Sequence, residues 1–224
     1  MEKKWIRLNI LVISAHPDDE VLGMGGTIKK FSDLGYNIKL CIISEGASAQ
    51  YSDKEMINVR RESCIKAGKI LGIQDFKFLD FPDAKLDSIP QLEINIEIEK
   101  IISEFKPEIV FTVSDGDLSK DHQKVFESTL VATRPINSQI RKVLAYELPG
   151  PRILQFQPTI YEDISAEIIS KNEALLEYES EVKQFPHPRS IESIESLAKY
   201  RGSQSGLKFA EAFRLIYEIN QEKD

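Results

Sequence analysis

Residues 8–20 read LNILVISAHPDDE, a short apolar run followed at once by a histidine and three acids. The apolar run over residues 8–14 is rich in β-branched side chains and too short for a typical buried helix, so it predicts a buried strand. A segment of helix length follows the acids. Because ligands in open α/β sheets bind beyond the carboxyl ends of the strands, we expect residues 15–20 to lie in a binding crevice.

Apolar runs of strand length alternate with amphipathic segments of helix length through the first two thirds of the chain. Further strands are predicted over residues 37–44, 76–80, 108–113 and 143–147. One predicted helix covers residues 54–71, and another ends before Pro107. This alternation predicts an α/β fold of the Rossmann-like type, with a mainly parallel sheet and helices on both faces.

The alternation fades after Pro149-Gly150-Pro151. We expect a mostly helical C-terminal part from about residue 151, with one helix over residues 166–183 and another from Ile191 to the end. No repeat or long linker divides the chain, so residues 1–224 are expected to form a single domain.

The bulk composition excludes several classes of protein. The 224 residues are 42% hydrophobic and 29% charged, without the run of about 20 apolar residues that a membrane helix needs. The net charge is -7, and lysine and arginine form no basic stripe, so nucleic acid is not expected as a partner. Only Cys41 and Cys64 are present, both in apolar segments, and we therefore expect a reducing, cytoplasmic location.

A second polar motif, Asp121-His122, follows the predicted strand over residues 108–113 and opens a helix predicted through Arg134. The positive end of that helix should keep the His122 imidazole neutral, the form that binds a metal. Two histidines and a carboxylate are typical of a catalytic zinc site, beside which a second carboxylate can act as base. The alternative is that these residues are ordinary helix caps or solvated loop residues.

The stretch SAHPDDEVLGMGGTI over residues 14–28 resembles the opening signature of the LmbE-like (PIG-L type) N-deacetylases. Similar blocks occur over residues 44–46, around Arg60, and over residues 79–83, 121–122, 185–190 and 200–213. The resemblance therefore extends over nearly the whole chain and implies the LmbE-like fold.

The resemblance also implies a reaction and roles for individual residues. The reaction is zinc-dependent removal of an N-acetyl group from a GlcNAc-type amino sugar or sugar conjugate, in polysaccharide or glycoconjugate biosynthesis. Family members are often homo-oligomers. By position, the Zn²⁺ ligands are His16, Asp19 and His122, the general base is Asp18, and Arg60 is a substrate contact. Asp83 is a second candidate substrate contact, as an acceptor for sugar hydroxyl groups. The alternatives are a solvated helix residue for Arg60 and a structural role in the Pro-Asp turn for Asp83.

One position departs from the family pattern, in which the turn reads His-x-Asp-His. Here Ser119 stands in place of the first histidine, so Asp121 is expected to lack its usual partner. His187 is the one histidine left after the ligands are assigned, and it is the candidate catalytic residue that replaces the missing imidazole. The alternative is that His187 packs between the two C-terminal helices. The alternatives are a metal-bound sugar-binding protein whose catalysis has decayed, and a metal hydrolase that cleaves another amide or an ester.

Overall fold

A computed structural model describes residues 8–136 and 139–220. The strands in these ranges are β1 Asn9–Ser14, β2 Asn37–Ser44, β3 Asp75–Phe81, β4 Ile109–Val113, β5 Lys142–Tyr146, β6 Ile160–Asp163 and β7 Ala210–Glu218. The α-helices are α1 Asp19–Asp33, α2 Glu55–Ile70, α3 Gln91–Phe105, α4 Lys120–Ala132, α5 Ile168–Leu176 and α6 Ile191–Ser205. A short 3₁₀ helix covers Leu86–Ser88.

All seven strands form one sheet, in the order β3-β2-β1-β4-β5-β7-β6. The strands β1 to β5 pair in parallel, whereas β7 runs antiparallel to both β5 and β6. The predicted Rossmann-like α/β fold with a mainly parallel sheet is confirmed, and the strands predicted from β1 to β5 agree with the observed bounds to within one residue at each end.

The strand order reverses direction between β1 and β4. Since connections between parallel strands are right-handed, α1 and α2 lie on one face of the sheet and α3 and α4 on the other. In keeping with this, α3 packs against α4, while α5 packs against α1 and α2. The loops after β1 and β4 therefore diverge to opposite faces and leave a crevice between them, which is where the two polar motifs lie.

The C-terminal part from residue 151 is less helical than predicted. The predicted helix from Ile191 ends at Ser205, where Gly206 adopts a left-handed conformation with φ 75°, and the chain then forms β7. This strand is interior to the sheet, so its first four residues are buried on both faces and show no alternation of apolar and polar side chains. The end of the predicted helix, residues 221–224, lies outside the described residues, as do residues 1–7 of the predicted domain.

The helix predicted over residues 166–183 is also shorter, since α5 spans only Ile168–Leu176. The chain turns after α5 and buries Tyr178 completely, with the phenol donating a hydrogen bond to the Glu20 carboxylate. A tertiary contact, which periodicity does not show, thus ends the helix. Within the described residues, every helix is too short or too polar to span a bilayer.

A buried ion pair ties β7 to the first helix. The Lys171 ammonium lies 2.6 Å from Glu211 Oε1 and donates to the Leu22 carbonyl at 3.0 Å. The Glu211 carboxylate also accepts from the backbone N–H groups of Gly26 and Thr27, at 3.0 and 2.7 Å. The strand β7, which is the last strand in the chain, therefore stabilises α1, the helix that begins in the HPDDE motif.

We predict that Glu211→Gln lowers the free energy of unfolding by about 3 kcal/mol, because it leaves the buried Lys171 ammonium without a counter-charge. Urea unfolding followed by circular dichroism measures the change. Lys29→Gln is the control, since its ion pair with Asp33 is on the surface and contributes about 0.5 kcal/mol. Equal midpoints for Glu211→Gln and the wild type would show that the pair does not hold β7 in place.

Candidate metal centre and active site

The crevice brings together the three predicted metal ligands. His16 lies in the loop after β1, Asp19 is the first residue of α1, and His122 is in the first turn of α4. The Nδ1 atom of His16 lies 3.2 Å from Nε2 of His122 and 3.7 Å from Asp19 Oδ2. The second Asp19 oxygen lies 3.4 Å from His122 Nε2. All three donor atoms lie within 4.8 Å of one another, so one ion can contact them all.

Carboxylates on the far side of each imidazole orient the rings. Nε2 of His16 lies 3.0 Å from Asp121 Oδ2 and 3.2 Å from Asp83 Oδ1. Nδ1 of His122 lies 3.0 Å from Asp117 Oδ2. Such outer carboxylates fix the tautomer of a ligating histidine and raise its basicity. The site therefore has the second layer of contacts that a metal centre requires.

Asp121 lacks the usual histidine partner, since Ser119 stands in its place, but other groups contact its carboxylate. Its carboxylate contacts the His16 ring and accepts hydrogen bonds from the backbone N–H groups of Ala84 and Leu86, at 2.8 and 3.0 Å. The hydroxyl of Ser119 caps α4 by accepting from the His122 N–H. The chain therefore uses Asp121 to orient a metal ligand instead of a neighbouring histidine.

The prediction that His122 is kept neutral by its helix terminus is wrong for the metal-free protein. Burial would lower the pKa of His122, but the charges of Asp19 and Asp117 outweigh burial and raise the pKa to about 10. For His16, hydrogen bonds to Asp121 and Asp83 likewise outweigh burial and raise the pKa to about 9. A helix terminus contributes at most about 2 kcal/mol and is overcome by these close carboxylates.

Asp18 is completely buried beside the metal ligands, with its backbone at φ 123°. Burial raises the pKa of its carboxyl group, while the guanidinium groups of Arg189 and Arg60 oppose the increase. These groups lie 3.4 and 3.6 Å from Asp18 Oδ2. A carboxylate with a raised pKa is a stronger base, which suits the role predicted for Asp18.

The two predicted substrate contacts, Arg60 and Asp83, both line a cavity in the crevice. The cavity has a volume of about 160 Å³ and is lined by His16, Ala49, Gln50, Arg60, Asp83, Ala84, Ser119, Asp121 and Arg189. Arg60 is anchored by the Pro17 carbonyl at 2.6 Å and by Glu181 at 3.1 Å. Asp83 accepts from the Ala49 N–H at 3.3 Å. Their contact with substrate stays a prediction.

His187 is exposed in the loop between α5 and α6, and it is not among the residues that line the cavity. Its Nδ1 atom accepts a hydrogen bond from the backbone N–H of Arg189 at 3.1 Å. The side chain that this loop brings to Asp18 is that of Arg189. The catalytic role of His187 stays a prediction.

Several functional neighbours were missed by sequence reasoning. Glu20 is buried, which raises the pKa of its carboxyl group to about 8, and it accepts a hydrogen bond from the Asp18 N–H at 3.2 Å. Glu181 is buried and contacts both Arg60 and Arg189. Arg189 lies in the family-like block of residues 185–190, in which only His187 was predicted to have a role. No local pattern marks Glu181, whose partners lie in distant parts of the chain.

We predict that zinc binding at pH 7 releases at least one proton, because nearby carboxylates raise the pKa of both ligand imidazoles, to about 9 and about 10, and a protonated imidazole must lose a proton to bind. The 3.2 Å contact between His16 Nδ1 and His122 Nε2 needs one of these nitrogens as an acceptor, so the pair shares the protons. Zinc affinity should therefore rise as the pH is raised from 6 to 9. Titration calorimetry in two buffers with different ionisation enthalpies measures the release, and equal heats in the two buffers would contradict it.

Comparison with known proteins places this geometry in a family. The pattern of the PIG-L family, described as GlcNAc-PI de-N-acetylase, matches residues 11–133. The uncharacterized deacetylase YaiS of Escherichia coli (strain K12) is 32% identical over 175 residues, which cover 76% of this chain and 89% of YaiS.

Two further proteins are similar over most of the chain. The diacetylchitobiose deacetylase of Thermococcus kodakarensis is 26% identical over 222 residues, covering 92% of this chain and 82% of that enzyme. The structure of N,N'-diacetylchitobiose deacetylase from Pyrococcus horikoshii superposes with a TM-score of 0.78 at 23% identity, covering 93% of this chain and 84% of that one, and so shares the fold. The chain belongs to the PIG-L (LmbE-like) family.

Proposed function

We propose that this protein is a zinc-dependent hydrolase that removes the N-acetyl group from a GlcNAc-type amino sugar or sugar conjugate. The observation that carries the proposal is that donor atoms of His16, Asp19 and His122 lie within 4.8 Å of one another, while the next residue to Asp19 in the chain, Asp18, is a buried carboxylate. The name of the Thermococcus kodakarensis relative supports an N-acetylated sugar as the substrate.

The donor atoms fit a zinc ion. His16, Asp19 and His122 offer two nitrogens and an oxygen, and carboxylates orient both rings from behind. A zinc ion held there would lower the pKa of a coordinated water molecule and polarise the carbonyl group of the substrate.

Asp18 is the residue of this chain that moves the proton. Its carboxylate accepts a proton from the attacking water as the carbon–oxygen bond forms, and it returns that proton to the nitrogen as the carbon–nitrogen bond breaks. Burial keeps bulk water from competing for the proton and raises the pKa of the carboxyl group, while the two guanidinium groups oppose that increase. The products are acetate and the free amine.

The size and lining of the cavity limit what it can hold. A volume of about 160 Å³ is roughly that of five water molecules, which accommodates an acetamido group and part of a sugar ring. Asp83 lies at this cavity as an acceptor for sugar hydroxyl groups. Arg60 offers an Nε–H that has no acceptor within the described residues and can bind a substrate oxygen.

Ser119 favours a second candidate, a metal-bound sugar-binding protein without catalysis. A serine at this position supplies no imidazole to the cavity that it lines. Acetate release from a panel of N-acetyl sugars, compared with O-acetyl analogues, separates the binding protein, the amide hydrolase and an esterase.

We predict that Asp18→Asn retains zinc and lowers kcat by about 10²- to 10⁴-fold, because it removes the proton acceptor but no ligand. Asp19→Asn should instead lose the metal. Elemental analysis and acetate-release kinetics measure both effects. Asp33→Asn, at the exposed end of the same helix, is the control and should match the wild type. If the two variants behave the other way round, the base and the ligand must be exchanged.

The role of His187 has a separate test. If its imidazole replaces the one absent at Ser119, His187→Ala should lower kcat by about 10²-fold with zinc retained, and Ser119→His should restore part of the loss. Since the ring is exposed and outside the cavity lining, this role requires the loop to move when substrate binds. A wild-type rate for His187→Ala would assign both proton transfers to Asp18.

A further inference from the structure

The loop between α5 and α6 places a guanidinium group over the buried Asp18. Arg189 follows Pro188, and its side chain, 30% exposed, reaches inward until Nη1 lies 3.4 Å from Asp18 Oδ2. The same nitrogen bonds to Glu181 Oε2, and Glu181 is itself buried. Arg189 therefore connects a surface loop to the proposed base, and Glu181 anchors it there.

The contacts of the two Asp18 oxygens differ. Arg60 and Arg189 both approach Oδ2, at 3.6 and 3.4 Å. Both oxygens are buried and neither accepts a hydrogen bond among residues 8–136 and 139–220, so the difference is that Oδ2 has two ion-pair partners and Oδ1 has none there. A buried carboxylate oxygen without a partner is costly, which indicates that Oδ1 receives its partner from a molecule that enters the site.

Within the described chain, these two guanidinium groups are the ion-pair partners of the Asp18 carboxylate. Asp18 is at the N-cap position of α1, but its side chain makes no capping hydrogen bond. Arg60 also has other partners, because it donates a hydrogen bond to the Pro17 carbonyl and forms an ion pair with Glu181. Arg189 is therefore the nearer of the two cations that hold the carboxylate at Oδ2.

We propose that Arg189 is a positioning residue that holds Asp18 through Oδ2 and so presents Oδ1 as the atom that accepts the proton of the attacking water. This inference rests on the proposed function and adds to it a residue outside the matched region 11–133. Arg189 needs no contact with the reacting atoms. Its effect should therefore appear in kcat, while substrate binding and zinc content stay the same.

Kinetics of the zinc-loaded enzyme on N,N'-diacetylchitobiose test the proposal. Arg189→Met should lower kcat by about 10- to 100-fold, the cost of an atom misplaced by about 1 Å, and change KM by less than about threefold. Arg189→Lys keeps the charge and should restore part of kcat. Arg134→Met, an exposed arginine whose partner Glu99 lies 3.8 Å away, is the matched control and should leave the kinetics unchanged.

A crystal structure of Arg189→Met gives a readout that does not depend on activity. The Asp18 carboxylate should rotate away from its wild-type position or occupy two positions, with the zinc ligands unmoved. If the wild type releases no acetate, the proposed function fails, yet a displaced Asp18 in the variant still supports the positioning role.

Three results for Arg189→Met would overturn the proposed positioning role of Arg189. They are an unmoved Asp18 in the crystal structure, an unchanged kcat, or an increase in KM without a decrease in kcat, which would make Arg189 a substrate contact. Should Arg189→Met fail to fold, Arg189→Lys decides by the same division between kcat and KM.

Discussion

Concentrated negative charge is the constraint on which the rest of this structure depends. Seven carboxylates, mostly buried, gather around the crevice: Asp18, Asp19, Glu20, Asp83, Asp117, Asp121 and Glu181. Such a group is stable only when cations or protons compensate for the lost hydration. The chain supplies two arginines and two imidazoles. The nearby carboxylates raise the pKa of both imidazoles, which favours their protonated form. A divalent cation can take the place of the imidazole protons and still compensate for the negative charge of the carboxylates.

The compensation is divided between two sides of the crevice. On one side the imidazoles lie between Asp19 at the centre and the outer carboxylates Asp121 and Asp117, an arrangement that could hold a metal ion. On the other side Arg60 and Arg189 lie beside Asp18 and oppose the increase in its pKa that burial causes. Buried negative charge is thus compensated in two ways in this crevice. One arrangement suits binding a metal, and the other suits accepting a proton.

The sequence allowed the parallel part of the fold to be predicted, as well as the convergence of His16, Asp19 and His122 in the crevice, because both depend on local signals. Apolar runs mark interior strands, and HPDDE stands at the end of the first of them. The C-terminal part could not be predicted in the same way, since β7 is buried on both faces and lacks the alternation that distinguishes a strand from a helix. Arg189 and Glu181 were missed because their importance comes from contacts with Asp18 and Arg60, over 100 residues away. The protonation of His122 was misjudged because Asp117 and Asp19 act more strongly than the helix terminus.

The placement of β7 inside the sheet has a consequence for how the protein must be made. Its neighbour β5 is complete by Tyr146, but β7 does not begin until Ala210, so more than sixty residues are synthesised while one edge of β5 has no partner. An unpaired, apolar edge strand is a template for aggregation. The ribosome-bound chain therefore passes through a stage at which both polar motifs are complete but the sheet is open. Early capture of a metal ion by His16 and His122 would close a loop of about a hundred residues and shorten the search for the native arrangement during that exposed stage.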